Sequence, residues 1–239
     1  MEAIELDQVS YVAGGRTLLS DLSLRLTEPR IGIVGRNGSG KTTLLRLLAG
    51  LAAPSAGRIR IGAVDPYADR KGALARLGIL FQNPDHQILF PTVEEELAFG
   101  LRQQGRSQAQ ALTAARAALS AAGRADWAGA AVSTLSGGQR HWLCLQALLL
   151  MRPQTLLLDE PFSGLDLAEQ TRMTRHLAAL PQRLITIAHD PAHVAHCARV
   201  IWLDAGRMVA DGPAETVLPA FTAEMARIGA TDADADLSG

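Results

Sequence analysis

From its N-terminus the chain alternates short β-type runs with turn residues and then changes texture. "AIELDQVS", "LSLRL" and "RIGIVG" place branched and apolar residues at strand spacing. The third run leads directly into "RNGSGKTTLLRLLAGL", whose leucines recur on one helical face, so strand, glycine turn and amphipathic helix form a βα unit. Gly50, Pro54 and Gly57 close that helix and the loop behind it. Two more strand-like runs, "GRIRIG" and "RLGILFQ", come before Pro84. From about Thr92 to Met151 the chain is rich in Ala, Leu, Gln and Glu, with helical periodicity in "TVEEELAFGL" and "RSQAQALTAARAALSAAG". Strand texture returns in "QTLLLDEP", "RLITIAHD" and "RVIWLD". The unbroken apolar runs of the first two suit central parallel strands covered on both faces. The pattern predicts an α/β fold. Residues 1–83 and 153–215 form the core sheet, 84–152 an inserted α-helical subdomain, and 216–239 a short C-terminal helix and a small acidic tail.

Composition narrows the classes. With 239 residues, 48% hydrophobic and 20% charged, the chain can bury a substantial core. No apolar run approaches the roughly 20 residues a membrane helix needs, and "MEAIELDQVS" lacks the basic and apolar regions of a secretory signal. A soluble protein of the cytoplasm is expected. Cys144 and Cys197 are too few and too far apart for a disulfide framework or a CxxC site, and both read as small buried apolar residues. A net charge of −1 and only 4% aromatics argue against nucleic acid as a partner.

The strongest chemical signal is Gly35-Arg-Asn-Gly-Ser-Gly40-Lys41-Thr42, which satisfies G-x-x-x-x-G-K-[ST] after a strand and before a helix. Its glycines let backbone N–H groups from about Gly38 to Thr43 converge on a phosphate. Lys41 is placed to reach the β- and γ-phosphates, and the Thr42 hydroxyl to ligate Mg²⁺. The expected core is thus a P-loop NTPase (RecA-like) sheet. Asp159, at the end of the apolar run "TLLLD", can hold Mg²⁺, and the adjacent Glu160 is placed to act as general base on the attacking water. Gln82 and His189 also fall at strand ends, where open α/β sheets bind ligands. In this setting Gln82 could meet Mg²⁺ and the lytic water, and His189 the γ-phosphate.

Together these residues resemble the ATP-binding cassette (ABC) ATPase family over nearly the whole chain to about residue 215. The Walker A loop "GRNGSGKTT", the Q-loop "FQNP", the signature "LSGGQ", Walker B "TLLLDEP", the D-loop "SGLD" and the switch histidine in "IAHD" occur in family order. The resemblance implies ATP and Mg²⁺ as cofactors, with Asn37, Gly38, Ser39, Gly40, Lys41, Thr42 and Thr43 holding nucleotide. It also implies that Tyr11 stacks on adenine, although a half-buried strand tyrosine is an equally good reading of that residue. Two cassettes, expected as a homodimer, would pair head to tail. Ser136, Gly137, Gly138 and Gln139 of one would face the γ-phosphate held by the other, with Asp166 across the interface. A helix N-terminus attracts an anion, and Ser136 can cap its helix at the same time.

"FQNPDHQILFPTVEEELAFGL", Phe81 to Leu101, resembles the cassettes of energy-coupling factor importers, the cobalt, nickel and vitamin uptake systems. That resemblance implies an integral membrane transport subunit contacting residues near 84–101, and a peripheral location on the cytoplasmic face of the membrane. Leu89, Phe90, Val93, Leu97 and Phe99 are either its apolar contacts or core of the helical subdomain. The cargo, whether cobalt, nickel or a vitamin such as biotin, stays open, and a soluble ABC ATPase acting as a scaffold is the alternative. The sequence departs from the family after "LSGGQ", where His141 and Trp142 stand. Trp142 is expected to pack between the helices and the sheet.

Overall fold

The structure is a computed structural model and describes residues 1–232, so most of the predicted acidic tail lies outside the described residues. In chain order the main elements are β1 (Ile4–Ala13), β2 (Arg16–Leu26), β3 (Arg30–Val34), α1 (Lys41–Leu48), β4 (Ala56–Ile61), α2 (Arg70–Leu74) and β5 (Leu77–Leu80). They continue as α3 (Val93–Gln103), α4 (Gln108–Ala121), α5 (Gly137–Leu150), β6 (Thr155–Asp159) and α6 (Leu167–Ala178). The chain closes with β7 (Arg183–Ile187), β8 (Arg199–Asp204), β9 (Arg207–Gly212) and α7 (Ala214–Asp232). Contacts divide it into two compact units: Met1–Ala73 with Arg183–Gly239, and Leu74–Gln182.

In the first unit β2, β1 and β4 form an antiparallel sheet. β1 alternates buried and exposed positions until Gln8, whose φ of 49° marks the bulge where its register shifts. A second layer runs β7-β3-β8-β9, with β3 parallel to β7 and β8, and β9 antiparallel to β8. All five residues of β7 are buried, as its apolar run predicts. α7 covers β8 through Val217, Leu218 and Phe221, and the Phe221 ring meets Trp202 edge-on at 5.5 Å. β9 escapes a pattern reading because its first three residues are exposed and it carries no apolar run.

Arg183 ties the layers of this unit together. It is 1% exposed and donates to the main-chain oxygens of Glu2 (2.7 Å), Thr27 (3.1 Å) and Glu28 (3.1 Å). Burial lowers the pKa of its guanidinium, and the carbonyls supply the hydrogen bonds that water would otherwise make.

The second unit holds the parallel pair β5–β6, with β6 buried throughout, and a helical core. Val93, Leu97 and Leu101 of α3 pack with Ala111, Ala115 and Leu119 of α4 and Leu143 of α5. Small alanines on α4 let its backbone approach α3 closely. Val93 (0%) and Leu97 (1%) are therefore core of the helical subdomain, the second of the two readings open for them. Leu89 is 66% exposed, while Phe90 and Phe99 are half-buried and pack on each other at 5.2 Å. Trp142 lies against this helical cluster, edge-on to Trp127 at 5.5 Å, which bears out the helical side of its expected packing.

Candidate active site

The loop between β3 and α1 is built to hold an anion. Gly40 is the residue before the helix, with φ 100°, and no side chain caps α1; its first turn holds no acid. α4, α5 and α6 by contrast all carry reciprocal capping boxes. The positive end of α1 is thus left for a ligand. Lys41 is 5% exposed, and its ammonium donates to the carbonyls of Gly35 (2.7 Å) and Arg36 (2.9 Å), which holds it over the loop. The Ser39 hydroxyl is buried without a hydrogen-bond partner among the described residues. Gly38 has no neighbour within 4 Å of where a side chain would begin, so its backbone is open to a ligand. A phosphate chain fits these features: uncapped donors, an orphaned hydroxyl and a fixed cation.

His189 follows β7 and is exposed. Together with Gly35, Arg36 and Asn37 it lines a cavity of about 520 Å³, bounded by Phe221 and Met225 of α7. The structure therefore brings His189 and the loop before α1 together within the first unit. Thr42 is exposed and Thr43 half-buried at the start of α1. Tyr11 is half-buried on β1, in register with Leu19 of β2, and does not line that cavity.

The remaining candidates belong to the second unit. Asp159 ends β6 and is 5% exposed. Glu160 follows in the left-handed region at φ 50°, a conformation that costs a non-glycine residue about 1–3 kcal/mol and clusters at functional sites. The Gln82 amide donates to Glu160 Oε2 at 2.9 Å and to the Ser163 hydroxyl at 3.3 Å, so the Q-loop glutamine and the carboxylate are already paired.

Ser136 caps α5, its hydroxyl accepting from Gln139 N–H at 3.2 Å while Gln139 Oε1 accepts from Ser136 N–H at 2.7 Å. Arg140 adds a bond to the Leu135 carbonyl (2.6 Å) and an ion pair with Asp85 (2.9 Å). Ser136, Gly138 and Gln139 open onto a cavity of about 500 Å³, bordered by Trp142, Leu165 and Glu169. Arg124 lies 4.2 Å from the ring centres of both Trp127 and Trp142. Burial and the nearby Arg172 both lower its pKa. Asp166 is exposed and caps α6 through Glu169 N–H at 2.7 Å.

Sequence reasoning missed two carboxylates here. Glu96 is 5% exposed, and Oε2 accepts from both Leu89 and Phe90 N–H at 2.9 Å, which pins the loop before α3. Glu169 closes the cap of α6 and also reaches α5. The spacing of Asp166 and Glu169 signals the cap of α6, but nothing local signals the reach of Glu169 to α5 or the burial of Glu96 within a run of three glutamates.

Residues 19–163 match the family model described as "ABC transporter". The chain belongs to the ABC transporter family, and it is an ATP-hydrolysing cassette of that family. It is 50% identical over 233 residues to the biotin transport ATP-binding protein BioM of Rhodobacter capsulatus, covering 96% of this chain and 100% of that one. It is 36% identical to the BioM of Rhizobium etli, covering 91% of this chain and 97% of the relative. Among solved structures it resembles cbiO1 of Clostridium perfringens, part of the ABC transporter complex cbiONQ, with a TM-score of 0.78 and 25% identity over 92% of each chain. Among the described residues no helix is long and apolar enough to cross a membrane.

Proposed function

We propose that this cassette powers uptake of biotin, working as a pair of cassettes on the cytoplasmic face of a separate integral membrane subunit. The observation that carries the cargo is the end-to-end likeness to BioM; among the cargoes open at the level of sequence it favours the vitamin over cobalt or nickel. In this reading the loop from Asn37 to Thr43 holds the ATP phosphates, Lys41 supplies charge to the β- and γ-phosphates, and His189 contacts the γ-phosphate. Tyr11 stacks on adenine. Thr42, Gln82 and Asp159 offer hydroxyl, amide and carboxylate oxygens, the hard donors that suit Mg²⁺. Mg²⁺ would neutralise charge on the transferring phosphate.

Glu160 serves as general base, and its bond to Gln82 orients the carboxylate before water arrives. The donors of Gly137 and Gly138 and the Ser136 hydroxyl meet the nucleotide of the second cassette, with Asp166 at the same interface. ATP then holds the pair closed and hydrolysis releases it, so the stroke derives from differential affinity for the two states. The membrane subunit meets the segment near 84–101, where Leu89 is the exposed apolar side chain.

The test is co-purification from the native host together with uptake of labelled biotin. An integral membrane protein should accompany the tagged cassette, and Lys41→Ala should abolish biotin uptake. A cassette that brings down no membrane protein, in cells whose biotin uptake survives Lys41→Ala, supports a soluble scaffold role instead. In the purified protein Glu160→Gln should lower kcat by about 10²- to 10⁴-fold and accumulate as an ATP-bound dimer. A strictly monomeric Glu160→Gln protein under Mg-ATP refutes the roles given to both.

A further inference from the structure

Glu169 makes more contacts than a capping box requires. Its main-chain N–H donates to Asp166 Oδ1 (2.7 Å) and its Oε2 accepts from Asp166 N–H (3.3 Å), which completes the cap of α6. The same carboxylate lies against the backbone of Gly138 in the first turn of α5, so closely that a methyl group at Gly138 would overlap both its Oε1 and its Cδ. One carboxylate thus sits at the N-terminal ends of two helices, where both dipoles favour a negative charge. The Gly137 position, one residue earlier, has open space instead. Of the two signature glycines, only Gly138 is required by a neighbour within the fold.

We propose that Glu169 is a positioning residue that joins the signature turn to the D-loop, so that Ser136–Gln139 and Asp166 present one face. The inference rests on the reading that two cassettes close on ATP. If α6 turns at its N-terminus, the Glu169 carboxylate travels with it, and Gly138 either follows or loses that contact. Gly138 must lack a side chain to admit the carboxylate. Alanine there does not unfold the helix, because Glu169 is the flexible end of a side chain and can swing away. In swinging away it gives up the Asp166 N–H, and the two segments are uncoupled.

The experiment is a double-mutant cycle in the Glu160→Gln background, reading the ATP concentration that half-dimerises the protein, alongside the ATP affinity of the monomer. Gly138→Ala and Glu169→Ala should each raise the dimerising concentration about tenfold, and the double variant should be no worse than the poorer single. Glu169→Gln, whose amide oxygen still accepts from Asp166 N–H, should stay within about threefold of the parent. Monomer affinity should be unchanged throughout, a readout that general loss of structure would move.

Single effects that multiply to about a hundredfold in the double variant overturn the coupling, because independent sites add in free energy. So does a Glu169→Ala protein that dimerises like the parent, or a fall in monomer affinity in both single variants. A Glu160→Gln parent that never dimerises with Mg-ATP instead refutes the paired-cassette reading on which the inference rests.

Discussion

Replacing Glu96 by alanine should loosen the segment proposed to meet the membrane subunit while leaving the nucleotide loop intact. Glu96 is 5% exposed, and its single oxygen Oε2 receives both the Leu89 and the Phe90 N–H at 2.9 Å. A hydrogen bond to a charged group contributes about 1.5–3 kcal/mol, so the upper bound for the pair is about 3–6 kcal/mol. Both donors are only partly buried, and water can replace some of what is lost. The expected cost of opening the loop before α3 is therefore about 2–4 kcal/mol. At about 1.4 kcal/mol per tenfold, amide exchange at Leu89 and Phe90 should accelerate by roughly 30- to 1,000-fold.

Hydrogen–deuterium exchange read on the peptide spanning residues 84–92 measures this directly. Glu96→Gln keeps one neutral acceptor and should give an intermediate acceleration. The Phe90–Phe99 contact should loosen with the loop, and transport should fall without loss of ATP affinity. Exchange at Leu89 and Phe90 within threefold of the parent in Glu96→Ala would mean that the carboxylate does not hold the loop.

Three other outcomes follow from the geometry. Lys41→Ala removes the cation held over the loop by Gly35 and Arg36, and ATP affinity measured by calorimetry should fall at least tenfold; unchanged affinity would refute the phosphate-loop assignment. Arg183→Met keeps an unbranched apolar stem but leaves three main-chain carbonyls without their donor, so urea unfolding of the first unit should shift by about 3–5 kcal/mol. A shift below about 1 kcal/mol would show that water reaches those carbonyls. Cys144 and Cys197 are buried, and burial pushes their thiols up to about 12 and about 11. Neither should react with iodoacetamide at pH 8 in the folded protein, and both should react in urea.

Much of the proposed nucleotide site is readable in the sequence because its chemistry is main-chain chemistry. A phosphate loop needs glycines at fixed spacing, a lysine and a hydroxyl immediately before a helix, and that local pattern survives in any surroundings. The signature start was legible for the same reason, since Ser136 and Gln139 form their capping box within four residues. The strands with unbroken apolar runs were equally plain, while β9, largely exposed and without such a run, was not.

Side chains whose partners lie far along the chain were opaque. Arg183 reaches Glu2 across 181 positions, and Gln82 reaches Glu160 across 78. Trp142 gave no sign of Arg124 or Trp127 beside it.

Alone, the sequence determined that the chain is a cassette and pointed to the residues proposed to carry its ATPase chemistry, because short-range spacing sets both backbone donors and helix starts. Only the tertiary structure decided which of the apolar residues near Leu89 remain on the surface, why Gly138 has no side chain, and which glutamates clamp neighbouring segments. Those properties depend on what packs opposite a residue, and local periodicity carries no information about a partner on another element.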